Sequence, residues 1–407
     1  MPYYRAVGEV PRKRHTQFRR PDGGLYAEEL MGVEGFSADS ALLYHRHPPT
    51  AIVDAVTMSE TCRSLSPNLP LKPRHFRTPS LHFDGADGVT GRRQLFANAD
   101  VAICFVVAGE PSPLYRNATG DELLYVQSGE GVVETIYGAL DVSSGDYVVL
   151  PTSTTYRIVP HGELALLTLE AAGHVGPPRR YLAARGQFLE HAPYCERDLR
   201  GPSEPLLVGD TGGSDTGGSD TGGSDNGGSD TEVLVRHRSG LTRLTYDHHP
   251  FDVVGWDGCL YPWAFSIHDF EPITGRVHQP PPVHQTFEGP GFVICSFVPR
   301  KVDYHPLSIP VPYNHANVDS DELMFYVGGD YEARRGSGIG LGSLSLHPAG
   351  CTHGPQPGAV EASLGVERFD ETAVMVDTFR PLELGTGAAE CEDPDYAWSW
   401  AGRGPLS

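Results

Sequence analysis

Closely spaced cysteine pairs are missing from this chain. Its seven cysteines, Cys62, Cys104, Cys195, Cys259, Cys295, Cys351 and Cys391, are scattered and form no Cys-x-x-Cys. That excludes a disulfide framework and a zinc ribbon. Long apolar runs are missing too. The longest lies near Val101–Ala108, far below the ~20 residues that a helix needs to cross a bilayer. Basic residues are scarce: Lys and Arg number 31 against 52 Asp and Glu, a net charge of −21. Such a surface repels phosphate backbones and argues against nucleic acid as a partner. Helical periodicity is weak, with candidates only over 27–31 and 178–185. The N-terminal stretch holds charged residues, Pro2 and Pro11 but no apolar segment, so no secretory signal is expected. These absences predict a soluble cytoplasmic protein that binds neither membrane nor nucleic acid.

What the chain does have is glycine (48) and proline (35) in 407 residues. Together they are about one residue in five, against an ordinary share of about 12%. Between them stand short runs rich in Val, Ile, Leu, Tyr and Phe, at 101–107, 123–127, 147–150, 164–169, 291–298, 323–327 and 341–346. Short strands at this spacing predict an all-β sandwich or barrel. One segment, Thr211 to Asp230, repeats Gly-Gly-Ser-Asp without a single apolar residue. It cannot bury anything, and its composition predicts a flexible acidic linker. The expected organisation is an N-terminal module over 1–205, a linker over 206–232 and a C-terminal module over 233–407.

The two halves resemble each other. Asp121-Glu122-Leu123-Leu124-Tyr125-Val126 matches Asp321-Glu322-Leu323-Met324-Phe325-Tyr326-Val327. Each Glu is followed at the same distance by a glycine, Gly129 or Gly329. Each half then has a Gly-x5-Pro, Gly145 to Pro151 and Gly342 to Pro348. Matched pairs in the same order point to a duplicated module. In the second half His315 precedes Glu322 by seven residues, and His353 follows Pro348 and Gly350. The corresponding positions of the first half are Tyr115 and Tyr156, with Glu122 kept. A lone carboxylate makes no transition-metal site, so the first module is expected to be structural, with Glu122 in hydrogen bonds. His45-Arg46-His47, before Pro48-Pro49, and His248-His249, before Pro250, read as plain loops.

The string Gly342-x5-Pro348-x-Gly350-x2-His353 resembles the second motif of the cupin superfamily, and His315-x6-Glu322-x6-Gly329 a variant of its first. The resemblance implies a mostly β fold of two cupin-type barrel or jelly-roll modules. It also brings His315, Glu322 and His353 to one barrel mouth as a metal triad. Two imidazoles and one carboxylate leave coordination positions open and suit non-haem Fe(II). More specifically, Gly24-Leu25-Tyr26-Ala27-Glu28-Glu29-Leu30, Phe251-Asp252-Val253-Val254-Gly255-Trp256, Pro312-Tyr313-Asn314-His315-Ala316-Asn317, Tyr331-Glu332-Ala333 and Thr352-His353-Gly354-Pro355 resemble homogentisate 1,2-dioxygenases. The likeness runs from about Gly24 to Thr378.

That resemblance implies an Fe(II)-dependent enzyme of tyrosine and phenylalanine catabolism. It would open the ring of homogentisate to maleylacetoacetate, with both atoms of O2 entering the product. It implies a homo-oligomer, a trimer or hexamer. By the same resemblance His278 is the catalytic base, with His284 as runner-up. Tyr313, Tyr331, Arg334, His347 and His353 would contact substrate, Arg334 as the cation for the acetate arm. The family has a lysine where Arg334 stands here. Cys351 is read as packing. Three alternatives stay open: a dioxygenase for gentisate or another hydroquinone-type aromatic acid, the gentisate case being one that Glu322 in place of a third His argues against; a non-redox metal-dependent bicupin isomerase; and a non-catalytic bicupin that stores or binds a ligand.

Overall fold

Alternation along the strands sets the architecture. In Glu122–Ser128 the side chains of Leu123 and Tyr125 join one core, while Leu124 and Val126 join another. In Asp321–Gly328, Leu323 and Phe325 face the first of these cores, and Met324 and Tyr326 face a third cluster. Opposite faces of one strand thus serve different layers. The computed structural model describes residues 3–60, 64–208 and 230–401. Most of the expected linker, residues 209–229, lies outside them, as does Cys62.

The chain is mostly β, as expected of a duplicated cupin-type protein. A 7-stranded sheet containing Glu130–Thr135, Gly138–Ser143 and Thr155–Pro160 packs on a 9-stranded sheet containing Val101–Ala108, Glu122–Ser128, Asp146–Leu150 and Leu164–Ala171. Val133, Leu140 and Ile158 from the former meet Val106, Leu124, Val148 and Leu166 from the latter. A second 7-stranded sheet, with Phe292–Phe297, Asp321–Gly328, Ser343–His347 and Thr372–Thr378, covers the far face of the 9-stranded one. The ring of Phe325 lies 6.1 Å from Phe105 and 6.4 Å from Tyr125 across that boundary.

Strands from the two sides of the linker are interleaved. Thr231–His237 pairs in parallel with Leu114–Asn117, and Trp263–Ser266 pairs with Asp146–Leu150. In return Arg74–Arg77 pairs with Ser343–His347.

The duplication extends to conformation. Gly129 and Gly329 both have positive φ, +89° and +75°. A Cβ there would meet a backbone carbonyl at 2.1 Å (Glu163) or 1.5 Å (Asp370), so both turns require glycine.

Two expectations are corrected. Residues 27–31 are no helix: Ala27–Gly32 is a strand paired with Ser40–His45. The run is too short to repay helix nucleation, and a neighbouring strand is available. Over 178–185 the only helical piece is the 3-10 turn Arg179–Tyr181. Among the described residues no helix is long and apolar enough to cross a membrane.

Candidate metal centre and substrate cavity

Glu322 is the second residue of Asp321–Gly328, the central strand of the second 7-stranded sheet. Register sets it opposite His347 on one neighbour and Asp377 on the other. Asp321, one residue earlier, points the other way, where its carboxylate accepts from the backbone N–H of Ala349 at 2.9 Å and of Leu382 at 2.8 Å. Asp121 does the same in the first half, with Thr152 and Val175. The acid that faces His315 and His353 is therefore Glu322. His315 and His353 come from loops on either side of the sheet edge and form an isolated antiparallel bridge, each N–H 2.8 Å from the other's carbonyl. That bridge sets their ring centroids 4.3 Å apart.

The ligand atoms of His315, Glu322 and His353 lie within 4.8 Å of one another. His315 Nε2 is 3.3 Å from Glu322 Oε2, and His353 Nε2 is 3.3 Å from Oε1. Donors held about 2.1 Å from one ion at 90–110° lie about 3.0–3.4 Å apart. His353 Nδ1 donates to the carbonyl of Cys351 at 3.1 Å. Its Nε2 is therefore the unprotonated nitrogen, and it is buried with no hydrogen-bond partner. A buried lone pair without a partner, aimed at a carboxylate and a second imidazole, fits a divalent cation.

His347 stands behind the carboxylate. It is fully buried, its Nδ1 donates to Glu322 Oε1 at 3.1 Å, and its Nε2 accepts from the Tyr396 hydroxyl at 3.0 Å. Burial depresses its pKa to about 3, so the ring stays neutral.

A cavity of about 250 Å³ opens over this cluster. Its wall includes His278, His284, Tyr313, His315, Glu322, Arg300 and Arg334, with Phe297, Met324 and Phe369 as the apolar part. His278 Nε2 lies 3.2 Å from the Tyr313 hydroxyl, and its Nδ1 is 3.5 Å from Asp303. His284 stacks on Phe297 at 4.4 Å, and burial, then Arg300, depresses its pKa to about 3.

Not every expected residue reaches the cavity. His347 and Tyr331 are not in its wall; Tyr331 instead packs edge-on against Tyr326 at 4.9 Å. His353 lies beneath the wall rather than in it. Arg334 is buried with Nε on the Tyr326 hydroxyl at 3.1 Å and Nη1 on the Gly354 carbonyl. No motif singled out Arg300, whose buried Nη1 has no hydrogen-bond partner. Nor did any single out Asp377, whose carboxyl burial, then Glu322, pushes up to about 7. Asp377 and Glu170 hold the same register beside Glu322 and Glu122, but their distances along the chain differ, so counting from the duplicated Asp-Glu pairs would have found neither.

The first half carries the counterpart constellation without a cation site. Arg92 Nη1 lies 2.7 Å from Glu122 and 3.2 Å from Glu170, and its Nη2 is 3.0 Å from the Tyr156 hydroxyl. Tyr156 also donates to Glu122. A guanidinium thus bridges the counterparts of Glu322, Asp377 and His353, and Glu122 has the hydrogen-bonding role expected of it.

Comparison with known proteins relates this chain to dioxygenases. Residues 279–404 match the family "Homogentisate 1,2-dioxygenase C-terminal". A Saccharolobus solfataricus protein named "Putative dioxygenase" is 38% identical over 98% of this chain and 99% of its own. The homogentisate 1,2-dioxygenase of Bradyrhizobium diazoefficiens is 27% identical over 71% of this chain and 62% of its own. That of Emericella nidulans is 25% identical over 92% and 82%.

Proposed function

Because this chain belongs to the homogentisate 1,2-dioxygenase family, we propose that it is a ferrous-iron enzyme that opens the ring of homogentisate with O2, giving maleylacetoacetate. The observation that carries this reading is the unprotonated, unpartnered Nε2 of His353 beside His315 and Glu322, under a cavity of aromatic-ring size.

Held by His315, Glu322 and His353, Fe(II) would supply a redox-active centre with open positions for ring oxygen and dioxygen. The remaining work falls to side chains. His347 holds Glu322 in place through Nδ1. His278 accepts the phenolic proton at Nε2, which makes the ring a better electron donor. It suits that task better than His284, whose pKa of about 3 leaves it a weak base. Asp303 near Nδ1 orients the ring of His278 and steadies the proton once taken. The Tyr313 hydroxyl donates to the same Nε2 and keeps lone pairs to accept the phenolic O–H, so it can pass that proton on to His278. Phe297, Met324 and Phe369 keep water from the reacting ring. For the carboxylate arm the reading moves from Arg334 to Arg300: two donors of Arg334 are already taken, whereas Nη1 of Arg300 is unpartnered.

The test is oxygen uptake by anaerobically purified, iron-loaded protein, with ultraviolet detection of a ring-opened product. Homogentisate, gentisate and unsubstituted hydroquinone serve as parallel substrates. The expected result is one O2 consumed per homogentisate, abolished by His353→Ala. Faster turnover of gentisate would move the substrate assignment. Turnover without O2, undiminished with zinc, would replace the dioxygenase with an isomerase.

A further inference from the structure

A second group of imidazoles meets a buried carboxylate far along the chain from the first. His47 follows the strand Ser40–His45, and His248 and Asp252 lie on the loop that leads into Val253–Gly258. Candidate ligand atoms of these three residues lie within 4.8 Å of one another, the same span as in the His315, Glu322 and His353 cluster. His47 Nδ1 is 3.2 Å from Asp252 Oδ2, inside the spacing of donors that share one ion. The rings of His47 and His248 have centroids 4.8 Å apart. Two imidazoles bound to one ion at about 2.0–2.1 Å hold their centroids about 5 Å apart.

The supports around the cluster are those of a metal site. His248 Nδ1 lies 2.6 Å from the Asp247 carboxylate, to which it donates, so its Nε2 carries the lone pair. A carboxylate behind an imidazole fixes its tautomer and raises its basicity as a ligand. Asp252 is held in the same manner. Its Oδ1 takes the Nδ1 proton of His45 at 2.6 Å, and His45 Nε2 is braced by Glu29 at 3.0 Å. Its Oδ2 accepts the backbone N–H of His47 at 2.7 Å, which turns it to the ring of that residue with a lone pair to spare. Asp252 and His248 are buried, whereas the His47 side chain is 32% exposed, which gives an ion a way in and a place for water.

From this geometry we propose that His47, His248 and Asp252 form a second metal site, for a divalent cation of the zinc class. Two imidazoles and one carboxylate without thiolate select a borderline divalent ion, and a water completes a tetrahedron. The site is structural. It ties the turn after Ser40–His45 to the loop before Val253–Gly258, strands that pair with each other although about 200 residues separate them. Closing so long a loop adds stability to the folded chain.

Metal analysis of the full-length chain tests this. The protein is stripped with a chelator and dialysed to equilibrium against Zn2+, and bound zinc is counted. Two ions per chain are expected for the wild type, and one each for His248→Gln, His47→Gln and His315→Ala. In the His315→Ala background added zinc should raise Tm, and His47→Gln should remove that rise. His47 is partly exposed, so its variant keeps the count meaningful if His248→Gln folds poorly. One zinc per chain in the wild type, or two in both His47→Gln and His248→Gln, overturns the proposal.

Discussion

Two arginines reach the cavity beside the imidazole pair, and their hydrogen bonds divide the labour between them. Arg334 is committed to the Tyr326 hydroxyl and to the Gly354 carbonyl one residue beyond His353. Arg300 rests near the ring of Phe369 at 5.7 Å with a buried Nη1 unpaired. An unpaired buried donor is costly, and a carboxylate supplies the charge-assisted partner it lacks, worth roughly 1.5–3 kcal/mol per bond. Arg300→Ala should therefore raise KM for a carboxylated hydroquinone about 10–100-fold with little change in kcat. The same variant should leave an uncharged hydroquinone unaffected. Equal losses on both substrates would refute the role. Arg334→Ala should instead lower Tm and metal occupancy together, because its bonds support the His353 loop. The meeting of His315, Glu322 and His353 was legible in the sequence because the first two lie at short fixed distances from Gly329 and the third from Pro348 and Gly350. Arg300 was not, since it reaches the cavity from a separate short strand, Arg300–Lys301, by tertiary packing alone.

At the scale of the element, Asp321–Gly328 does two jobs on two faces. Glu322, Met324 and Tyr326 look to the cavity, and Leu323 and Phe325 look to the core shared with the 9-stranded sheet. A substitution on the second face should cost stability without disturbing the ligands on the first. Phe325→Ala removes a fully buried ring that packs on Phe105 and Tyr125, a loss of about 3–5 kcal/mol. The expected outcome is a clear fall in Tm and denaturant midpoint with iron stoichiometry at wild-type level. Loss of iron in still-folded variant protein would show that the two faces are coupled. This strand and its twin Glu122–Ser128 were readable in advance because both are long apolar runs bounded by turn residues. Ala27–Gly32 was not: its burial is only partial, its composition is helix-compatible, and its strand state depends on Ser40–His45 beside it.

For the whole molecule, strand exchange across the linker decides what a module is. Thr231–His237 and Gly240–Tyr246 extend the sheet of the first barrel, and Trp263–Ser266 pairs with Asp146–Leu150. Arg74–Arg77 fills a place in the second sheet between Ser343–His347 and Glu392–Asp393. No reading of local pattern reveals such pairings, because hydrogen bonds between strands carry no signature of sequence distance. A chain cut inside the linker would leave each piece short of strands and with long unpaired edges, which favour aggregation. We expect 1–208 and 230–407, expressed separately, to be insoluble or unfolded, and co-expression to restore a complex that binds iron. The intact chain should unfold in one cooperative transition seen alike by fluorescence and circular dichroism. Two separate transitions, or a 230–407 piece that folds and holds iron alone, would mean that the borrowed strands are dispensable and that the barrels are independent after all.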